Sequence, residues 1–111
     1  MTVLFAYIPI DTDEKAKALA RTVVSRRAAA CANILGPMTS VYEWEGAVRE
    51  ESEWLIILKT TTERKEELTE LVMELHGYDC PCVVYLPISD GNPAFLQWVD
   101  TRCRPDGKKT L

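Results

Sequence analysis

The chemistry this sequence could support is concentrated in a few side chains. His76, Cys80 and Cys82 place one imidazole and two thiols within seven residues. Soft thiolate and imidazole ligands suit Cu(I) and zinc, although the spacing departs from the usual C-x2-C knuckle. The same residues also admit a plainer reading, in which His76 caps a helix C-terminus and the thiols are packed. Lys59 closes the apolar run Trp54–Leu58 and is followed by a helix-start pattern. There it would serve either an anion cradled by helix amides or simply a strand end with its ammonium in water. Cys31 follows a helix end, where the dipole raises a thiol pKa, and reads as a small core residue rather than a nucleophile.

No G-x-S-x-G, H-E-x-x-H, P-loop or G-x-G-x-x-G pattern occurs. With a single histidine there is little material for a Cys–His or Ser–His mechanism, so the expectation is a binding protein and not an enzyme. Cys80 and Cys82 in one strand would share a face at ~6–7 Å, beyond the ~3.5–4.5 Å that disulfide Cβ atoms require.

The elements that must position these groups can be read from periodicity and caps. Thr2–Ile8 is apolar on both faces and predicts a central strand. Asp11 with Glu14 forms a capping-box pattern, and Ala16, Leu19, Ala20, Val23 and Val24 recur at helical spacing up to Ala28–Cys31. Asn33–Trp44 and Ala47–Lys59 predict a hairpin joined at Glu45-Gly46, with a bulge at Gly36-Pro37. A second helix is expected from about Thr60, with Glu63 completing another capping box and Leu68, Leu71, Val72 and Leu75 on its apolar face. Pro81 opens a last strand, Cys82–Leu86, and Asn92-Pro93 opens a short closing helix.

The order βαββαβ plus a small helix predicts an α+β, ferredoxin-like antiparallel sheet with a long hairpin and a short C-terminal helix, in one domain over 1–103. Residues 104–111 read as a polar, disordered tail. An extended Ala47–Lys59 strand would reach ~43 Å at ~3.3 Å per residue, twice the ~21 Å of the helix over 63–76. Half of the hairpin, carrying Tyr42 and Trp44, should therefore project and pair with other copies.

The 111 residues are 47% hydrophobic and 27% charged, enough apolar material for a core. A net charge of −4, from 17 acidic and 13 basic residues, argues against a nucleic-acid partner. The acidic run over 49–53 reads as a solvated face. No basic leader or ~20-residue apolar span is visible, so the expectation is a cytoplasmic protein with no membrane partner and free thiols.

The strings Ala29-Ala30-Cys31-Ala32-Asn33-Ile34, Ser40-x-Tyr42-x-Trp44-Glu45-Gly46, Leu58-Lys59-Thr60, His76-x-Tyr78-x-x-Pro81, Leu86-Pro87-Ile88-x-x-Gly91-Asn92 and Leu96-x-Trp98 occur in this order along the chain. Together they resemble the CutA family of divalent-cation tolerance proteins. The resemblance implies a ferredoxin-like protomer in a homotrimer, tolerance of copper and other divalent ions, and no established enzymatic activity. It also implies a cleft between subunits drawing on Cys31, Tyr42, Trp44, Glu45, Lys59, His76, Tyr78 and Trp98.

A copper site proposed in the family uses a first-strand cysteine and two adjacent histidines. Here Ala6 and Ile8 stand in the first strand and Leu75 precedes His76, so copper or another divalent metal would need another ligand set, such as His76, Cys80 and Cys82. Gly77 stands where the family often has proline, and Cys82 where it usually has glutamate. Two rivals on the same fold are a nucleotide- or anion-sensing trimer resembling the nitrogen-regulatory signalling proteins, with Lys59 serving a phosphate, and a structural scaffold trimer. An acylphosphatase-like enzyme would need an arginine that Tyr7–Asp11 lacks.

Overall fold

The computed structural model describes residues 2–105. The chain runs β1 (Val3–Ile10), α1 (Asp13–Ser25), β2 (Cys31–Trp44), β3 (Ala47–Thr61), a 3₁₀ turn (Thr62–Arg64), α2 (Lys65–Leu75), β4 (Val84–Pro87) and α3 (Pro93–Arg102). The four strands form one antiparallel sheet in the order β2-β3-β1-β4, the ferredoxin-like arrangement expected.

Strand alternation divides the sheet into two faces. Ala6, Ile8, Ile10, Ile56 and Leu58 pack with Ala16, Leu19 and Val23 of α1 and Leu68, Leu71 and Val72 of α2 to form the main core. The alternate residues, including Tyr7, Leu35, Val84 and Leu86, lie on the face away from these helices and are substantially exposed. A second cluster of Val3, Ala30, Val99 and Cys103 anchors α3 at the end of the sheet where β1 and β2 begin. No helix among the described residues is long and apolar enough to cross a membrane.

Several boundaries differ from expectation. The N-cap of α1 is Thr12, whose Oγ1 accepts from the Lys15 amide at 3.1 Å, while Asp11 takes the Lys15 ammonium instead. That helix ends at Ser25 rather than continuing into Ala28–Cys31. Arg27 adopts φ 61°, and the Arg27 and Ala28 amides donate to the carbonyls of Val24 and Val23, a Schellman cap with arginine at the position glycine usually fills. Arg64 supports this turn by donating to the carbonyls of Arg26 and Arg27, at 3.1 Å each.

Thr60 belongs to β3, not to a helix start. Its hydroxyl is fully buried and donates to the Ala28 carbonyl at 2.6 Å, so it has no amide to cap. The fourth strand begins at Val84, two residues later than expected, and leaves Cys80 and Cys82 in an irregular segment.

The hairpin projects as expected. β1 pairs with β3 only over Trp54–Thr61, so Ala47–Glu53 is held by β2 alone, and the long axis of the molecule reaches 54 Å. The register slips between Leu35 and Met38, the bulge foreseen at Gly36-Pro37. Gly36 is required there by close approach: a Cβ would sit 2.5 Å from the Trp54 ring. Of the expected tail, Arg104 is still tied to Asp100 by an ion pair, and 106–111 lie outside the described residues.

Candidate functional site

The two-residue turn at Glu45-Gly46, with φ 51° and 82°, sets the register of the arm. Tyr42 falls opposite Arg49, Ser40 opposite Glu51 and Trp44 opposite Ala47, so alternation brings Tyr42, Trp44, Arg49, Glu51 and Glu53 to one face. That face and the segment after α2 enclose a groove of about 420 Å³, lined also by Asp11, Tyr78, Asp79 and Cys80. Such a volume lies within the range of small-molecule sites.

The groove is acidic. Tyr78 donates to Glu53 Oε2 at 2.8 Å, and burial together with that carboxylate pushes its phenol well above the ordinary value. Glu51 acts likewise on the Tyr42 hydroxyl. Tyr78 is therefore fixed as a donor to Glu53, whose carboxylate keeps lone pairs free to accept from something else.

His76 stands behind this wall and plays a structural part. Its ring is fully buried, 4.4 Å edge-on from Tyr78, and Nε2 lies 2.6 Å from the Pro9 carbonyl. A carbonyl only accepts, so Nε2 carries the proton, and Nδ1 is left without a partner. The backbone of His76 does close α2, donating to Val72, but the side chain turns inward instead of facing solvent as a capping cation.

The expected His76, Cys80 and Cys82 constellation is not assembled in one protomer. Among the described residues no three His, Cys, Asp or Glu side chains converge to hold a metal ion. Two causes are visible. The imidazole is fully buried, its free Nδ1 included, and the two thiols are exposed on a segment that is not in the strand. Partial burial, with the charge of Glu53 adding to it, raises the Cys82 thiol above its usual value, which works against the thiolate a soft metal needs.

The remaining residues named from the sequence fall elsewhere. Lys59 and Cys31 are register partners at the far end of the sheet, about 20 Å along β3 from Glu53. The Lys59 side chain is buried; its ammonium donates to Asn33 Oδ1 and lies 5.4 Å from the Phe5 ring centre. It has no carboxylate within ion-pair distance among the described residues. Lys59 also stands six residues before α2, so the helix-amide cradle that would make it a phosphate site is not formed. Trp98 stacks on Phe95 in α3, and Glu45 sits at the arm's tip. Of the expected cleft residues one protomer thus brings together Tyr42, Trp44 and Tyr78, joined by Cys80. Asp11, Arg49, Glu51, Glu53 and Asp79 were not foreseen as lining residues. The signal for three of them was present, since a two-residue turn plus alternation puts Arg49, Glu51 and Glu53 on the face of Tyr42 and Trp44.

The family model of the CutA1 divalent ion tolerance protein matches residues 4–102. The chain belongs to the CutA family. It is 43% identical over 94 residues to the CutA homolog of Xenopus laevis, covering 85% of this chain and 62% of that protein. It is 42% identical over 92 residues to the divalent-cation tolerance protein CutA of Thermus thermophilus, covering 83% and 89%. The chain thus spans about three fifths of the length of the frog relative and most of the bacterial one. Among solved structures, CutA1 of Oryza sativa superposes with a TM-score of 0.91 at 38% identity, covering 94% of this chain and 95% of that one. The Thermus thermophilus protein does so at 0.85 and 40%, covering 87% and 94%. The family model and the Thermus thermophilus relative are both named for divalent-ion tolerance.

Proposed function

We propose that this CutA-family chain works without catalysis, as a homotrimer that takes part in divalent-cation tolerance by holding a metal ion or small ligand in clefts between its copies. The observation that carries this reading is the uncovered face of the sheet. Tyr7 is 37% exposed and Leu35, Val84 and Leu86 are each 50% exposed, on the side away from α1 and α2. A contiguous apolar patch of this kind marks an interaction surface. The partner we assign to it is another copy, because the same protomer offers two sheet edges, β2 and β4, and an arm paired only to itself.

Covering that face would also seal Lys59 from water, so its charge calls for an acceptor supplied from outside the protomer. The cleft expected from the sequence falls into two groups within one chain, the groove with Tyr42, Trp44 and Tyr78, and the far end with Cys31, Lys59 and Trp98. A second copy is the means by which the two groups would meet. Copper or another divalent metal, in this reading, takes ligands from more than one copy, with the exposed Cys80 and Cys82 thiols as candidates and His76 set aside because its one free nitrogen, Nδ1, is buried.

Light scattering over a dilution series into the sub-micromolar range tests the assembly. The expected mass is about three times 12.6 kDa, and Leu86→Asp should reduce it to one. A parent protein that is monomeric at micromolar concentration would remove the assembly and with it the shared cleft.

A further inference from the structure

We propose that Asp90 is a spontaneous modification site: in the folded protein its carboxyl group condenses with the Gly91 amide and reopens as isoaspartate. The inference uses one loop of one protomer and stands apart from the shared cleft.

The chemistry follows from the order of the two residues. The Gly91 amide nitrogen attacks Asp90 Cγ and forms a C–N bond. The carboxyl group gives up its hydroxyl, which leaves as water with the amide proton, and the product is a five-membered succinimide. Water then adds to one of the two ring carbonyls and breaks one C–N bond. Opening one way restores aspartate; opening the other way gives isoaspartate, whose backbone runs through Cβ. One water leaves and one returns, so no oxidant, reductant or cofactor is required.

The geometry places this reaction at Asp90. The Gly91 nitrogen donates to Asp90 Oδ1 at 2.8 Å, so the attacking atom already lies against the carboxyl group. Residues 88–92 form the irregular link between β4 and α3, and the Gly91 amide makes no backbone hydrogen bond among the described residues. Asp90 and Gly91 are both exposed, which admits the water that opens the ring. Glycine also lacks the Cβ that shields the amide and restricts the backbone in other residues. The other described aspartates, Asp11, Asp13, Asp79 and Asp100, are followed by Thr12, Glu14, Cys80 and Thr101. Three of these four are also held by ion pairs, to Lys15, Lys17 and Arg104. Asp106-Gly107 lies outside the described residues.

The loop is pinned on both sides of the site. The Ile88 amide donates to the Val3 carbonyl at 3.0 Å, and the Phe95 and Leu96 amides donate to the Asn92 carbonyl at 3.2 and 3.3 Å. An extra methylene in the backbone between these anchors must displace one of them. Val99 and Cys103 of α3 pack on Val3 and Ala30, so isomerisation loosens α3 from the end of the sheet.

Purified protein is aged for weeks at physiological temperature and pH, digested, and sequenced by electron-transfer fragmentation, which distinguishes isoaspartate from aspartate. Isoaspartate is expected at residue 90, with a transient species lighter by one water. Protein isoaspartyl methyltransferase should label the aged sample. Gly91→Ala should slow the reaction about tenfold or more. That variant should fold, because the added Cβ would meet Leu96 at an ordinary 3.5 Å and the Gly91 backbone is not left-handed. A guanidinium-unfolded sample aged alongside should isomerise within about tenfold of the folded one, the loop holding the two groups together. A folded rate further below it would show that the fold keeps them apart and would overturn the proposal. Native protein that ages without isoaspartate at residue 90, or with it at residue 106 alone, would do the same, as would a rate indifferent to Gly91→Ala. None of these outcomes depends on the oligomeric mass.

Discussion

Replacing His76 by alanine removes the one imidazole and tests whether it is a strut or a ligand. Two costs follow from its surroundings. The Pro9 carbonyl, now accepting from Nε2 at 2.6 Å, would be left buried without a donor, at about 1–3 kcal/mol. The fully buried ring would leave a cavity whose cost adds about 1–2 kcal/mol. Relief of the unpartnered Nδ1 subtracts part of this, so the net loss should be about 3 kcal/mol. His76→Phe leaves no cavity and keeps the edge contact with Tyr78 but still orphans the Pro9 carbonyl, so it should cost about 1–2 kcal/mol, less than alanine. Urea denaturation measures both, at one fixed protein concentration so that the proposed assembly enters each comparison equally. Anaerobic Cu(I) titration against a competing chelator should give the same affinity for His76→Ala as for the parent. An alanine variant within about 0.5 kcal/mol of the parent, or one that loses tenfold in Cu(I) affinity, would refute the structural role.

Three further outcomes are expected. Burial raises the Cys103 thiol from 9.0 to about 11, so the folded state holds its proton where the unfolded chain has lost it; stability should fall as pH rises from 9 to 11, by up to about 3 kcal/mol, and Cys103→Ala should flatten that stretch of a pH-dependent melting series. Gly36→Ala would drive a Cβ into the Trp54 ring at 2.5 Å, and the ring cannot retreat without leaving the core residues it packs on; a loss of about 2 kcal/mol is expected in denaturant melts, and an unchanged midpoint would show the bulge to be loose. If strands and core are shared between copies, thermal unfolding is coupled to dissociation, and its midpoint should climb with protein concentration across a calorimetric series.

How much could be read from the sequence depended on whether the deciding interaction was local. The apolar stripe of Ala16, Leu19, Ala20 and Val23 is a property of α1 itself, and Glu45-Gly46 fixes its own turn, so both were legible. Thr60 and Glu63 carry the same local signature as a helix cap, but the hydroxyl of Thr60 is claimed by Ala28, distant in sequence, and β3 continues past it. The stop of α1 was hidden for a similar reason. Arg27 gives no glycine signal, and its left-handed turn is held by Arg64.

The groove was half legible. Its aromatic residues stood out by type, whereas Glu51 and Glu53 looked like a solvated charge run until the register paired Ser40 with Glu51 and Met38 with Glu53. The thiol–imidazole cluster failed because proximity in sequence did not become proximity of donor atoms: the ring turns into the core against Pro9 and buries its free Nδ1, while the two thiols stay at the surface.

The central claim is that this protomer is one third of the working molecule and that its clefts hold something. Native mass spectrometry of freshly purified protein examines both parts at once. The expected spectrum shows about three times 12.6 kDa, with added mass that is lost on denaturation. A spectrum dominated by the bare 12.6 kDa chain under the same gentle conditions would contradict the account.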